Sequence, residues 1–274
     1  MQPVGDFGYT DWAEDEPARI GRVTELREEA FPGSFFYELW KTWAKQPVRL
    51  VRVIAHMLEP YVPSAGIRVH LDSILAWAVA DAYSDKIEVD RPRVIPIPAA
   101  ALWTDGQRVL WGVGDLAPAP GRWIRDKRYR HRRYKEAEAE WSQRKNANRS
   151  VGRWKDNRVP VEAVLTPRVC TYALAIPEAL REVLKGVTHI GSNTSRGYGR
   201  VDRWEVEEVK PEADDVDFLA NTYIFPLRNL PAEMGAHPSG HEYQPVVAWA
   251  PPYWYLPWHS PGYVPRSRAH ACPG

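Results

Sequence analysis

The run His189-Ile190-Gly191-Ser192-Asn193-Thr194-Ser195-Arg196-Gly197-Tyr198-Gly199-Arg200-Val201 limits what this chain can fold into more than any other stretch. It packs three glycines, four small polar side chains, two arginines and a tyrosine between two apolar runs. Glycine tolerates positive φ and lets other atoms approach the main chain closely. The run therefore reads as a loop with one of two roles. It either turns the chain and no more, or it aims successive N–H groups at a phosphate while Arg196 and Arg200 add charge. In the second role Tyr198 offers a face on which a base stacks. Two named glycine fingerprints are excluded. No Gly-Lys-Ser/Thr ending makes it a P-loop, and the order Gly-x5-Gly-x-Gly differs from the dinucleotide-binding pattern.

The flanks give the loop a context. Pro177 to Lys185 reads as a short helix with proline in its first turn, where a missing N–H costs nothing. Leu180, Val183 and Leu184 share one face, and Gly186 is a stop. Arg200 to Val209 carries valines and Trp204 among charged residues, which suits a half-exposed strand. Helix, short apolar run, glycine loop and strand, in that order, resemble the carboxy-terminal signature of the RAMP proteins of CRISPR systems. The resemblance implies a ferredoxin-like RNA-binding fold whose glycine-rich loop contacts the guide RNA. Many members begin the loop with a Gly-x-Gly pair; here only Gly191 is present.

A second segment narrows the resemblance. Val48 to Met57 is a strand candidate, followed by Pro60, Pro63 and Gly66 as turn signals. Beyond it Leu71, Ile74, Leu75, Ala78 and Ala82 recur at helical spacing and predict one buried face, with Asp72 as a structural cap. The phrase His70-Leu71-Asp72-x-Ile74-Leu75-Ala76-Trp77-Ala78 is similar to the first helix of the type IV CRISPR small RAMP subunit, a relative of the Cas-five family. In that family the subunit caps the five-prime handle of the guide RNA at one end of the effector complex. His70 is counted with the RNA-binding residues on this basis.

Charge distribution says more than net charge, which is only +1. From Gly121 to Arg158 there are fourteen Lys/Arg against five Asp/Glu, while the remaining residues carry 22 against 30. The dense part holds Arg122, Arg125, Lys127, Arg128, Arg130, Arg132 and Arg133. A second part holds Arg144, Lys145, Arg149, Arg153, Lys155 and Arg158. Interleaved Trp123, Tyr129, Tyr134 and Trp154 suit phosphate neutralisation combined with base stacking. The competing reading is a solvated loop or surface helix whose charges are merely wet. In the resembled family an insertion at this place forms a thumb that presses on the guide RNA.

The middle of the chain predicts strands at Arg93–Pro98 and Val109–Val113 around an Asp105-Gly106 turn. Val161–Ile176 is β-branched and returns the chain to the sheet, with Pro167 marking a bulge or break. Residues 1–46 are acidic, nine Asp/Glu against five Lys/Arg. Ala18–Ala30 is a helix candidate, and Phe35, Phe36, Trp40 and Trp43 form an aromatic patch that packs on the core or on a partner subunit. From Pro226 onward ten prolines accompany many aromatics, which argues against a central sheet or a long helix. That segment is either an extended arm over the surface or a ligand for a partner's groove.

The expected architecture is α+β: a ferredoxin-like (RAMP/RRM-like) core over 47–210 with a basic thumb-like insertion at 119–160. An N-terminal extension, 1–46, and a C-terminal arm, 211–274, flank it. Two cysteines, Cys170 and Cys272, argue against a disulfide framework or a cysteine zinc cluster. His237, His241, His259, His270 and Cys272 fit no tight metal spacing, so neither metal nor cofactor is expected. Without a signal peptide or a bilayer-length apolar run, a soluble cytoplasmic protein is expected. The expected partners are guide RNA, backbone RAMP subunits, a large subunit and, in the assembled complex, target DNA. The expected function is non-catalytic guide-RNA binding within a type IV CRISPR effector ribonucleoprotein. The alternatives are a metal-independent guide-RNA-processing endoribonuclease, for which His70, His131 and His189 are the acid–base candidates, and a general RNA-binding protein outside CRISPR.

Overall fold

The structure, a computed structural model, describes residues 22–23, 25–63, 68–87, 93–132, 157–211, 215–234, 241–253 and 255–265. In chain order its first part comprises α1 (Ser34–Ala44), β1 (Arg49–Met57), β2 (Val69–His70), α2 (Leu71–Ala82), β3 (Ala101–Thr104), β4 (Val109–Trp111) and β5 (Asp115–Pro118). The second part comprises β6 (Ile124–Arg132), β7 (Asn157–Leu165), β8 (Arg168–Ala175), α3 (Pro177–Lys185), β9 (Val201–Glu208), β10 (Leu230–Pro231), β11 (His241–Val247) and β12 (Ser260–Pro265). The fold is α+β, with antiparallel strand pairing throughout. Its main sheet has the order β2-β5-β8-β1-β9. Among the described residues no helix is long and apolar enough to cross a membrane.

Alternation along β1 and β8 shows how the layers assemble. Successive side chains of a strand point to opposite faces. Val51, Val53 and Ala55 of β1, with Val169, Ala173 and Ala175 of β8, enter the core beneath the helices. There they meet Phe36 and Trp40 of α1, Leu71, Leu75 and Val79 of α2, and Leu180 and Leu184 of α3. Leu50 and Ile54, with Cys170, Tyr172 and Leu174, enter a second core on the other face, against Phe225, Leu227, Leu230 and Trp249. A strand buried on both faces is rich in Val, Leu and Ile, as Val48–Met57 is between Arg49, Arg52 and His56.

The C-terminal segment is therefore a third layer. β12 is the middle strand of a small sheet of its own, β10-β12-β11, and the main sheet takes no strand from this proline-rich segment. The prolines fall where no ladder donor is needed: Pro261 and Pro265 lie near the ends of β12, and Pro245 lies where the β11 register shifts between Gln244 and Val247.

Three expectations are corrected. Among the described residues the helix near the N-terminus is Ser34–Ala44; of the predicted Ala18–Ala30, residues 18–21 and 24 lie outside the described residues and the rest holds only a 3-10 turn at Glu28–Ala30. Phe36, Trp40 and Trp43 had helical spacing all along, and the chain enters that helix after Pro32-Gly33. Arg93–Pro98 forms no strand, because Pro96 and Pro98 have no N–H to give; β3 follows instead and pairs with β4 across the Asp105-Gly106 turn. The buried face of α2 is Leu71, Asp72, Leu75, Ala76 and Val79, while Ile74 and Ala78 are half-buried and Ala82 is exposed.

His70 holds the N-cap position, without a capping hydrogen bond, and the expected capping by Asp72 comes from inside the first turn, where its Oδ1 accepts from the Ser73 amide at 2.8 Å. The same carboxylate also accepts from Arg228 Nη2 (3.1 Å) and from the Tyr253 hydroxyl (2.8 Å). Arg228, 1 % exposed, also donates to the carbonyls of Trp111, Val113 and Trp249. Next to it the His70 Nδ1–H donates to Asp115 Oδ1 at 2.9 Å, and the His70 ring stacks on Tyr253 with centroids 3.8 Å apart. Arg68 Nη1 lies 3.5 Å from Asp115 Oδ2. A buried polar cluster thus ties α2, the β4–β5 region and the C-terminal layer together.

Candidate nucleic-acid interface

After β1 the chain turns at Pro60 and runs between two other segments. On one side Tyr61 exchanges backbone hydrogen bonds with Val164 of β7, at 3.1 and 2.8 Å. On the other, the Ser192 amide donates to the Val62 carbonyl and the Gly199 amide to the Pro60 carbonyl, both at 2.8 Å. Residues 60–62 therefore join the β6–β7 hairpin to the glycine loop.

Two of the loop's glycines are there because nothing else fits. Gly191 has φ +77°, and a Cβ would stand 2.3 Å from the Val62 carbonyl oxygen. Gly199 has φ +73°, and a Cβ would stand 1.9 Å from the Ile190 oxygen. Gly197 also has positive φ, but open space lies where its Cβ would be. The amides of Ser192, Arg196, Gly197 and Gly199 all donate to protein carbonyls. The loop's outward chemistry therefore shifts from a cradle of successive N–H groups to its side chains. Ser195, Arg196 and Arg200 are exposed; Asn193 and Thr194 are half-buried.

Tyr198 links the loop to the hairpin. It is half-buried and packs with Val62, Val161 and Ala163. Its hydroxyl also interacts with Arg128. The hydrogen bond from Arg128 Nε to Asp126 Oδ2 (2.7 Å) is the main cause of a raised Arg128 pKa, with Tyr198 a lesser one. Burial pushes the Tyr61 hydroxyl pKa well up, and Arg125 works against that rise, which places its charge by the same junction.

The hairpin is a two-stranded sheet of its own, in register from Ile124↔Leu165 to Arg132↔Asn157. Arg122, Trp123, Arg125, Lys127 and Arg128 are exposed at its base. Arg130 pairs with Val159, and Arg158 with His131, further along the ladder. Arg133, Arg144, Lys145, Arg149, Arg153, Trp154 and Lys155 lie outside the described residues.

The other predicted positions part company with this surface. His70 is 8 % exposed and belongs to the buried cluster, so its ring faces protein. His189 Nδ1 lies 2.9 Å from Thr188 Oγ1. Among the described residues no three His, Cys, Asp or Glu side chains gather to hold a metal. Sequence reasoning passed over Tyr61, Val62, Val161 and Ala163, which seat the loop. Their only signals were a short apolar run after Pro60 and an alternating pattern in β7.

A family model described as CRISPR type IV associated protein Csf3 matches residues 123–265, a little over half of the chain. The match starts at the base of the hairpin, includes the glycine loop and continues through the C-terminal layer to the end of β12. No curated protein matches the chain.

Proposed function

The chain belongs to the CRISPR type IV associated Csf3 family of Cas5-like RAMP subunits, and from that premise we propose that it binds guide RNA without cutting it, capping the five-prime handle within a type IV effector ribonucleoprotein. The observation that carries this reading is the junction at Tyr198, where a glycine loop with exposed arginines abuts the base of a cationic hairpin. Phosphates meet Arg125, Lys127, Arg128, Arg196 and Arg200 there, and exposed Trp123 is available to a base.

Reading the core as ferredoxin-like is supported by the strand order β5-β8-β1-β9, with α2 leading out of β1 toward β5 and α3 connecting β8 to β9. Both faces of the central strands are covered, so bases cannot be laid on an open sheet as in an RRM. Loop and hairpin remain as the RNA-facing parts, and the hairpin takes the part of the thumb. The partners in this reading are backbone RAMP subunits, a large subunit and, in the assembled complex, target DNA.

Binding of handle-containing guide RNA at increasing salt tests the proposal. If roughly six phosphates are neutralised, log affinity falls against log salt with a slope near about −4. Arg125→Ala with Arg128→Ala and Arg200→Ala flattens that slope by about 2. A flat response in the parent protein would mean that the cations face something other than RNA.

A further inference from the structure

Two grooves meet at Arg27. The first, about 810 Å³, is walled by three separate parts of the chain: Arg27 to Ala30, the Gly106-Gln107 turn, and Tyr255 with Trp258 of the C-terminal layer, with Arg93 among them. The second, about 710 Å³, continues from Arg27 along α1 past Tyr37, Lys41 and Lys45. Both volumes fall in the range that holds small ligands.

The walls are fixed from behind. The Val94 amide donates to the Ala30 carbonyl at 2.9 Å, joining the Arg93 segment to the N-terminal wall. Arg108 donates to the Trp258 carbonyl and lies 4.4 Å over the Trp249 ring, which anchors the aromatic wall. Tyr255 and Trp258 pack edge to face, with centroids 5.9 Å apart. Arg93 Nε is buried with no hydrogen-bond partner among the described residues. On α1, Lys41 Nζ sits 4.7 Å over the Tyr37 ring.

These grooves are separate from the interface described above. Their walls are tied to the C-terminal end of β8, where Ala99 bridges Ala175 and the Val23 amide reaches the Ala101 carbonyl. The hairpin and glycine loop are tied to the opposite end, where Met57 binds the Pro167 carbonyl and Ala119 the Arg168 carbonyl.

We propose that the joined grooves bind a short unpaired stretch of nucleic acid, a few nucleotides long, apart from the strand held at the glycine loop. Arg27 and Arg93 share the first groove with Trp258 and Tyr255, and Lys41 and Lys45 share the second with Tyr37, so both offer cations for phosphates beside rings for bases. Glu28 and Glu29 line the first groove and give it a preference. A carboxylate repels phosphate but accepts hydrogen bonds from exocyclic amino groups, such as cytosine N4. Cytosine is therefore held there in preference to uracil or thymine.

The test uses the full chain and hexamers of 5-iodocytidine or 5-iodouridine, as RNA and as DNA, irradiated and mapped by mass spectrometry. Adducts are expected at Tyr255, Trp258 or Tyr37, about threefold stronger for cytosine. They persist in the Arg125→Ala/Arg128→Ala variant, so failure of the guide-RNA reading leaves them in place. They fall about tenfold in Arg27→Glu and in Lys45→Glu, both exposed positions where folding is not at stake. Whether the RNA or the DNA series gives more adduct identifies the strand. Adducts confined to the hairpin and glycine loop would overturn the proposal, as would undiminished yield in both charge-reversed variants. Shielding of Arg27 and Lys41 by a protein subunit, without nucleic-acid adducts, would overturn it too.

Discussion

Arg228 of the C-terminal layer and Asp72 of α2 form an ion pair at 3.1 Å in which neither side chain is more than 2 % exposed. Removing one partner of a buried pair strands the other, at about 3–5 kcal/mol. Arg228→Met and Asp72→Asn are each expected to lose that much in urea unfolding, and the double variant less than their sum. Additive losses would show that the two charges act independently.

The glycine positions divide by cause. Gly197→Ala meets open space and bears only the left-handed backbone penalty, about 1–2 kcal/mol. Gly199→Ala adds a clash with the Ile190 carbonyl, so the loop must leave its seat on Pro60. Guide-RNA affinity is expected to fall about threefold in the first and about a hundredfold in the second, while far-ultraviolet circular dichroism stays near the parent spectrum. Equal RNA binding by a well-folded Gly199→Ala protein would remove the loop from the interface.

The pair His70–Asp115 gives stability a pH dependence. Burial alone opposes a charged His70, but the charge and hydrogen bond of Asp115 outweigh it, and the His70 pKa rises above its ordinary 6.5. Burial likewise opposes a charged Asp115, but His70, Arg68 and Arg228 outweigh it, and its pKa falls below 3.8. The His70 contribution is complete below pH 6.5 and fades as pH climbs through the raised folded value. The Asp115 contribution is complete above pH 3.8 and fades as pH drops through the depressed value. Stability from this pair is therefore greatest between about pH 4 and 6.5. Urea midpoints taken from pH 5.5 to 8.5 are expected to fall, and His70→Gln, which keeps a donor for Asp115, is expected to flatten the decline. A parallel decline in both proteins would place the titrating group elsewhere.

Cleavage of precursor guide RNA is not expected. Cations stabilise phosphate charge without moving a proton, and the two candidate histidines with described side chains are already engaged, His70 with Asp115 and His189 with Thr188. Labelled precursor incubated without divalent metal is expected to stay intact, in the parent and in the His70→Ala, His131→Ala and His189→Ala proteins. Site-specific cutting that one substitution abolishes would promote the endonuclease reading.

What the sequence disclosed followed the range of its signals. α3, the glycine loop and β9 were legible because proline, glycine and a helical apolar spacing act within a few residues. Pro167 was legible as a break for the same reason, between β7 and β8. Asp72 was legible only in part: its local bond to the Ser73 amide follows from its place in the first turn, whereas its partners Arg228 and Tyr253 come from the far end of the chain. The C-terminal layer was obscured by its prolines, whose tolerance depends on strand register and not on local pattern. At the candidate interface, charge and glycine count marked the two segments that the structure brings together. Their contact through Tyr198 was not legible, since it rests on the pairing of residues 60–62 with two distant segments.

The covering of the main sheet on both faces changes what it means to shorten this protein. Ending the chain behind Val209 would not subtract an appendage. It would strip one side of β1 and β8 and turn Leu50, Ile54, Tyr172 and Leu174 toward water. Such a fragment would present a sticky plane beside the loop it was meant to isolate, and self-association would mask whatever affinity for RNA it kept.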